Sequence, residues 1–319
     1  MPGRPAATNV RSDEALRGKA MGEGFGILMA VLSSALGGMS LGATRFLIGA
    51  TDPVTLGALR YGGGLVVLAG ATLALGEAWP RPGDWPGVAG LGLLFFAVFP
   101  VLYNLALGAT TAARAALALS MLPLLTMLVA AALGIERLTL RKSLGVLIAV
   151  SGVAFALASG LAGAPEHAWR GDFLMLAAAC CMALYNVWSR PFITRSSAFG
   201  FTAASMGAGA ASLLAIAGWR GGFKAIAAFG AGQWAAVAFL AVFGAAINFF
   251  LWVFALQRTT PTRVAATITV NPVTASAVAA LLLGEPIGLN LGLGVAAVLC
   301  GIWIASSRPS RRRLQPRET

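Results

Sequence analysis

Ten stretches of this chain contain no Asp, Glu, Lys or Arg: 24–44, 61–76, 85–113, 115–135, 143–165, 173–189, 196–219, 225–257, 264–284 and 286–307. A bilayer-spanning helix needs about 20 mostly apolar residues, and most of these windows supply that length outright. The two shortest, 61–76 and 173–189, reach it by absorbing neighbours such as Leu56 to Arg60. Strands are excluded by pattern, since a membrane barrel uses segments of about 9–11 residues with alternating polarity and no alternation runs through these windows. A soluble bundle is excluded by the missing charged face, which would recur every helical turn. With 58% hydrophobic and 11% charged residues, against about 45–50% and about 25% in soluble domains, too few ionic groups remain to solvate an exterior. The fold class expected is an all-α polytopic membrane protein with ten transmembrane helices.

The net charge of +12 follows topology rather than nucleic-acid binding. With both termini placed in the cytoplasm, 17 Lys and Arg fall inside and 6 outside, the positive-inside asymmetry that orients membrane proteins. The C-terminal run RPSRRRLQPR is then an anchor beside anionic headgroups, and no nucleic-acid partner is expected. The first twenty residues are polar and of mixed charge, so a cleavable leader is not expected. Cys180, Cys181 and Cys300 lie in apolar windows and read as buried free thiols, without a disulfide or CxxC framework. The 20 Arg against 3 Lys point to a GC-rich genome and a bacterial inner membrane.

The chain says one thing twice. Thr110 to Arg137 (TTAARAALALSMLPLLTMLVAAALGIER) and Thr259 to Pro286 (TTPTRVAATITVNPVTASAVAALLLGEP) match at ten of 28 positions without a gap, at an offset of 149. The same offset pairs Ser40 with Ser189, Tyr103 with Trp252, Gly145 with Gly294 and Gly152 with Gly301. The expected organisation is a cytoplasmic tail (1–21), a first five-helix repeat (22–163), a second (171–308) and a basic cytoplasmic tail (309–319), with the joint at GAPEHAWRGD. Five is odd, so the second copy enters the bilayer from the opposite face. The two repeats are therefore expected to be inverted, the plan of many secondary transporters, whose substrate sites lie near the midplane between repeats. Pro123 and Pro272 break the same helix in each copy. A freed carbonyl is costly in hydrocarbon, so these breaks should face protein or a wet cavity.

Both copies show P-x12-E (Pro123 to Glu136, Pro272 to Glu285) followed by spaced glycines, and DPVTLGALR (52–60) links the first helix to the second. This doubled set resembles the EamA repeat of the drug/metabolite transporter superfamily over about residues 22–308. The resemblance implies a ten-helix carrier, commonly an exporter of amino acids or other small metabolites. Two departures stand out: Gly209 occupies the position that repeats Arg60, and Leu36–Gly38 replaces the tryptophan usual in the first helix.

Polar residues inside spanning helices tend to face the bundle interior. Ser33, Gly37, Ser40 and Thr44 form one stripe on the first helix, and Thr267, Asn271 and Thr274 another on the ninth. The residues expected to bind substrate are Ser40, Tyr103, Asn186, Ser189, Asn248, Trp252, Thr267 and Asn271; the competing reading is packing and bonds to their own helices. Asn271 either lines the cavity or satisfies the backbone freed by Pro272. Tyr103 and Trp252 alternatively sit in the interfacial belt. Arg114 and Arg263 read first as snorkelling to headgroups, or as cationic gates for carboxylates, and Arg60 has the same two readings. Glu136 and Glu285, at unfavourable helix C-termini, should bond to a neighbouring loop or helix start.

The function expected is secondary export of small metabolites by alternating access, with a non-transporting scaffold or receptor as the alternative. An enzyme is not expected, because the lone His167 lies in the joint and no Asp or Glu lies deep in a helix. No phosphate loop GxxxxGK[ST] is present, and no cofactor or metal is expected. The partners are a small-molecule substrate and the lipid bilayer, with a homodimer left open. Energy coupling stays open between facilitated export, exchange and an acid such as Glu23 or Glu136.

Overall fold

The computed structural model describes residues 7–110, 115, 118–156, 166–274, 293, 296–297, 300–301 and 303–304. We label its main helices α1 (Ala7–Ile48), α2 (Pro53–Ala74), α3 (Pro82–Ala109), α4 (Leu122–Ala132), α5 (Leu140–Ala156), α6 (Ala168–Trp188), α7 (Ala198–Trp219), α8 (Ala231–Arg258) and α9 (Pro261–Ala266). Among the described residues, six helices are long and apolar enough to cross a membrane: Gly22–Ile48 of α1, and α2, α3, α6, α7 and α8. The windows 115–135, 143–165 and 264–284 carry shorter described pieces, α4, α5 and α9. Arg114, Glu285, Gly288, Gly292, Gly294 and the tail 309–319 lie outside the described residues. α1 is continuous from Ala7, so helix runs through most of the stretch read as an N-terminal tail.

The exterior is that of a protein in lipid. Val66, Leu73, Phe173 and Trp219 are exposed, whereas Ser33, Ser40, Thr44, Asn186, Asn248 and Thr267 are buried. In water this distribution would be costly twice over; in hydrocarbon it is the arrangement of lower free energy. The thiols correct one expectation. Cys180 and Cys300 are exposed and Cys181 is half-buried, because an apolar window is no guide to which side of its helix meets lipid.

Local chemistry sets the helix starts. Asp52 caps α2, its carboxylate accepting from Val54 N at 3.0 Å and Thr55 N at 3.2 Å, with Pro53 in the first turn. Ser197 caps α7 through Gly200 N at 2.9 Å. Several helix packings recur when the repeats are exchanged. α2 lies along α7, and α4 meets α9. α1 packs on the last part of α8, as α6 packs on the last part of α3.

Two irregularities recur one repeat length apart. α3 contains a π-turn at Leu94–Val98 and α8 one at Val242–Ile247. Such turns misalign the backbone ladder by one residue and release a carbonyl. The prolines give the second pair. The chain turns at Ser120 and Met121 before Pro123, and tightens into a 3₁₀ turn at Thr267–Thr269 before Pro272.

Candidate functional site: a cavity between the repeats

The recurrent π-turns set the rotation of the helix segments that follow them. After the first come Phe99, Pro100, Tyr103 and Asn104; after the second come Asn248, Phe249 and Trp252. All seven line one central cavity with Ser33, Ser34, Ser40 and Thr44 of α1, Arg60 and Tyr61 of α2, and Asn271. The cavity is partly open, with about 740 Å³ free of protein atoms when the solvent at its mouth is included. A second, smaller space adjoins it and shares Gly37, Tyr103 and Asn271 while adding Pro272. The wall beneath is aromatic: Phe95 stacks on Tyr185 at 4.3 Å, and both Phe95 and Phe96 meet Phe249 edge-on.

Polar lining groups are mostly held. Ser33 Oγ donates to Asn248, with Oδ1 at 2.6 Å and the backbone oxygen at 2.9 Å. Ser40 Oγ donates back to Leu36 O at 2.7 Å. Asn104 Nδ2 donates to Pro53 O at 3.2 Å, which ties α3 to the start of α2. Asn271 Oδ1 is buried without a hydrogen-bond partner, so its amide lies on the cavity wall with acceptor capacity to spare.

Of the eight residues expected from sequence, five line the cavity: Ser40, Tyr103, Asn248, Trp252 and Asn271. The other three are not among its lining residues. Asn186 is fully buried and its Oδ1 accepts from Trp252 Nε1 at 2.8 Å. Ser189 is fully buried with no partner for Oγ. Thr267 Oγ1 donates to Val264 O at 2.8 Å and lies 2.9 Å from Ser34 Oγ, fastening α9 to α1. Trp252 is 2% exposed, so it belongs to the interior and not to an interfacial belt.

Arg60 is the main residue that the candidate set lacked. Its Nη2 donates to Gly244 O at 2.6 Å, across the boundary between repeats. Spacing from the helix start had left it equally suited to the headgroups. The missing counterpart also has a steric explanation. A Cβ on Gly209 would lie 2.4 Å from Phe96 Cβ and 2.7 Å from Gly92 O, so α7 approaches α3 too closely there for any side chain.

One end of the bundle is bound by ionic contacts. Arg263 pairs with Glu23 of α1 and is buried, which corrects the snorkelling reading. Thr259 Oγ1 lies 3.4 Å from Glu23 Oε1. Glu136, just past α4, accepts from Thr262 N at 3.0 Å and pairs with Lys142, so its carboxylate serves the start of α9. One repeat length away from the Thr259–Glu23 contact, Thr110 Oγ1 donates to Asp172 Oδ1 at 2.9 Å.

A lipid-facing exterior, two copies of one helical unit and a partly polar cavity between them define a polytopic membrane transporter. The model of the EamA-like transporter family matches residues 24–158 and again 169–307. The chain belongs to that family, and it is a transporter rather than an enzyme. It is 30% identical over 239 residues to a probable terminal-alkyne amino-acid exporter of Streptantibioticus cattleyicolor, covering 73% of this chain and 78% of that one. It is 24% identical over 218 residues to the uncharacterized transporter YyaM of Bacillus subtilis, covering 68% and 71%. A solved crystal structure superposes with a TM-score of 0.71 at 26% identity, covering 89% of this chain and 98% of the other.

Proposed function

We propose that this protein exports small metabolites, amino acids or close analogues, by alternating access across the bacterial inner membrane. The cavity between the repeats carries this reading. It is walled by aromatic and polar groups with Arg60 among them, and is built from segments that follow paired backbone irregularities. Two inverted five-helix repeats, with both chain ends cytoplasmic, would let one half rock against the other about that cavity. The charge asymmetry of 17 basic residues against 6 supports the orientation. The kinship to a protein named as a probable amino-acid exporter supports the substrate class. Ser40, Tyr103, Asn248, Trp252 and Asn271 would touch the substrate, while Asn186 and Thr267 hold the wall in place through Trp252 and Ser34.

The test is efflux from cells or reconstituted vesicles carrying Trp252→Ala or Asn271→Ala at wild-type membrane levels. Both variants are expected to lose most transport. Unchanged efflux in both would remove this site.

A further inference from the structure

Among the described residues lining the central cavity, Arg60 is the one cation, and no Asp or Glu accompanies it. A charge at such depth is costly, and a purely structural arginine would be expected to use its donors on a carboxylate or several carbonyls. Arg60 does neither. None of the ion pairs Lys142–Glu136, Arg195–Asp84 and Arg263–Glu23 includes it. Its single hydrogen bond runs to Gly244 O, and its Nε is buried without a partner. A guanidinium presents five N–H donors in a planar fork; most of this one's are uncommitted.

The acceptor it uses is a product of the π-turn. Asn248 N–H would bond Gly244 O in a regular α-helix, but here it points to Phe243 O and Ala245 O. The released carbonyl takes side-chain donors instead, from Arg60 and from Asn248 Nδ2 at 3.3 Å. The site is close-packed: a Cβ at Gly244 would lie 2.7 Å from Ser40 Oγ, so Ser40 would have to shift, and 3.4 Å from Arg60 Nη2. A neutral carbonyl thus holds the guanidinium at the cavity wall without neutralising it.

We propose that Arg60 receives the carboxylate of the transported substrate and thereby selects carboxylic acids over organic cations and uncharged analogues. This rests on the transporter reading above and names the group that such a substrate must carry. A carboxylate matches the guanidinium fork in two parallel charge-assisted bonds. A phosphate dianion would call for a second cation, and none lines the cavity among the described residues. An amino acid's ammonium group meets neutral acceptors, Asn271 Oδ1 among them. A substrate whose only charge is positive meets Arg60, which has the Tyr61 ring 5.4 Å away but no carboxylate beside it in the lining, in a medium where like charges repel strongly.

The experiment reconstitutes the full chain in liposomes and measures uptake of L-propargylglycine, L-leucine and L-phenylalanine against their carboxamides. The wild type is expected to carry at least one acid about tenfold or more faster than its carboxamide, the range set by a lost charged hydrogen bond. Arg60→Gln should bring the acid down to the carboxamide rate and leave the carboxamide within about twofold of wild type. Equal losses for acid and carboxamide would make Arg60 a strut between α2 and α8 and overturn this assignment alone. So would an acid rate that survives the substitution, or a wild type indifferent to the carboxyl group. No wild-type transport of any probe would overturn the amino-acid reading, and this one with it. Should Arg60→Gln fail to reach the membrane, Arg60→Lys keeps the charge but loses the fork. Its KM for the acid should rise several-fold with kcat retained, and an unchanged KM overturns the assignment.

Discussion

Trp252 Nε1 donates to Asn186 Oδ1 at 2.8 Å, and both side chains are buried, with 2% and 0% of their surface exposed. The bond fixes the indole that forms part of the cavity wall. Asn186→Ala would leave a buried N–H without an acceptor, at a cost of roughly 1–3 kcal/mol. It should lower transport and thermal stability together. In a Trp252→Phe background, which has no N–H to orphan, the same substitution should cost clearly less. A double-mutant cycle read by thermal unfolding in detergent checks this; a coupling of zero would show that the bond contributes nothing.

Gly209 and Gly207 should respond oppositely to a single methyl group. The Cβ of Gly209→Ala would collide with Phe96 Cβ and Gly92 O, whereas that of Gly207→Ala finds Leu65 Cδ1 at 3.4 Å, on a side chain free to shift. Gly209→Ala is expected to lose roughly 1–3 kcal/mol and much of the folded yield. Gly207→Ala should stay close to wild type in size-exclusion profile and melting temperature.

Glu136 is set between two demands. Its carboxylate ends α4, where the dipole disfavours it, yet it accepts from Thr262 N and pairs with Lys142. Glu136→Gln keeps an acceptor for Thr262, while Glu136→Ala keeps nothing. We expect the alanine variant to lose about 2 kcal/mol and the glutamine variant about half of that. The ranking in a melting assay is the test, and equal losses would mean that the backbone contact is worth nothing.

Asp52 gives a pH signature outside the membrane-spanning segments. Burial raises its pKa, but hydrogen bonds from Thr55 and Val54, with Arg220 nearby, outweigh this and hold the carboxyl below its usual value. A lowered folded pKa means stability that is complete above the unfolded value of about 3.9 and is lost as pH falls through the folded one. Melting temperature should therefore decline between about pH 5 and pH 2. Asp52→Asn, which preserves the helix cap, should start from a lower melting temperature at pH 7 and flatten part of that decline. An identical slope in both proteins would refute the linkage.

The doubled helix breaks were legible because Pro123 and Pro272 act through local backbone chemistry, and a missing N–H is visible in any context. Glu136 was legible for a related reason: an acid at the wrong end of a dipole implies a partner elsewhere. Arg60 was not, since the depth of a side chain one or two turns into a helix depends on where its neighbours stand. Nothing in the run GLLFFAVFP announced the π-turn of α3, and nothing in AVFGAAINF that of α8. Ser189 shows the same dependence from the other side, a polar residue fully buried that does not line the cavity.

By itself, the order of residues determined the bilayer as solvent, the duplicated unit and the family. All three follow from periodicity and composition, which accumulate over many residues and tolerate local exceptions. Only the tertiary structure decided which polar groups share one space. That depends on helix rotation and close approach, where a single misaligned carbonyl at Gly244 or an absent Cβ at Gly209 outweighs the pattern around it.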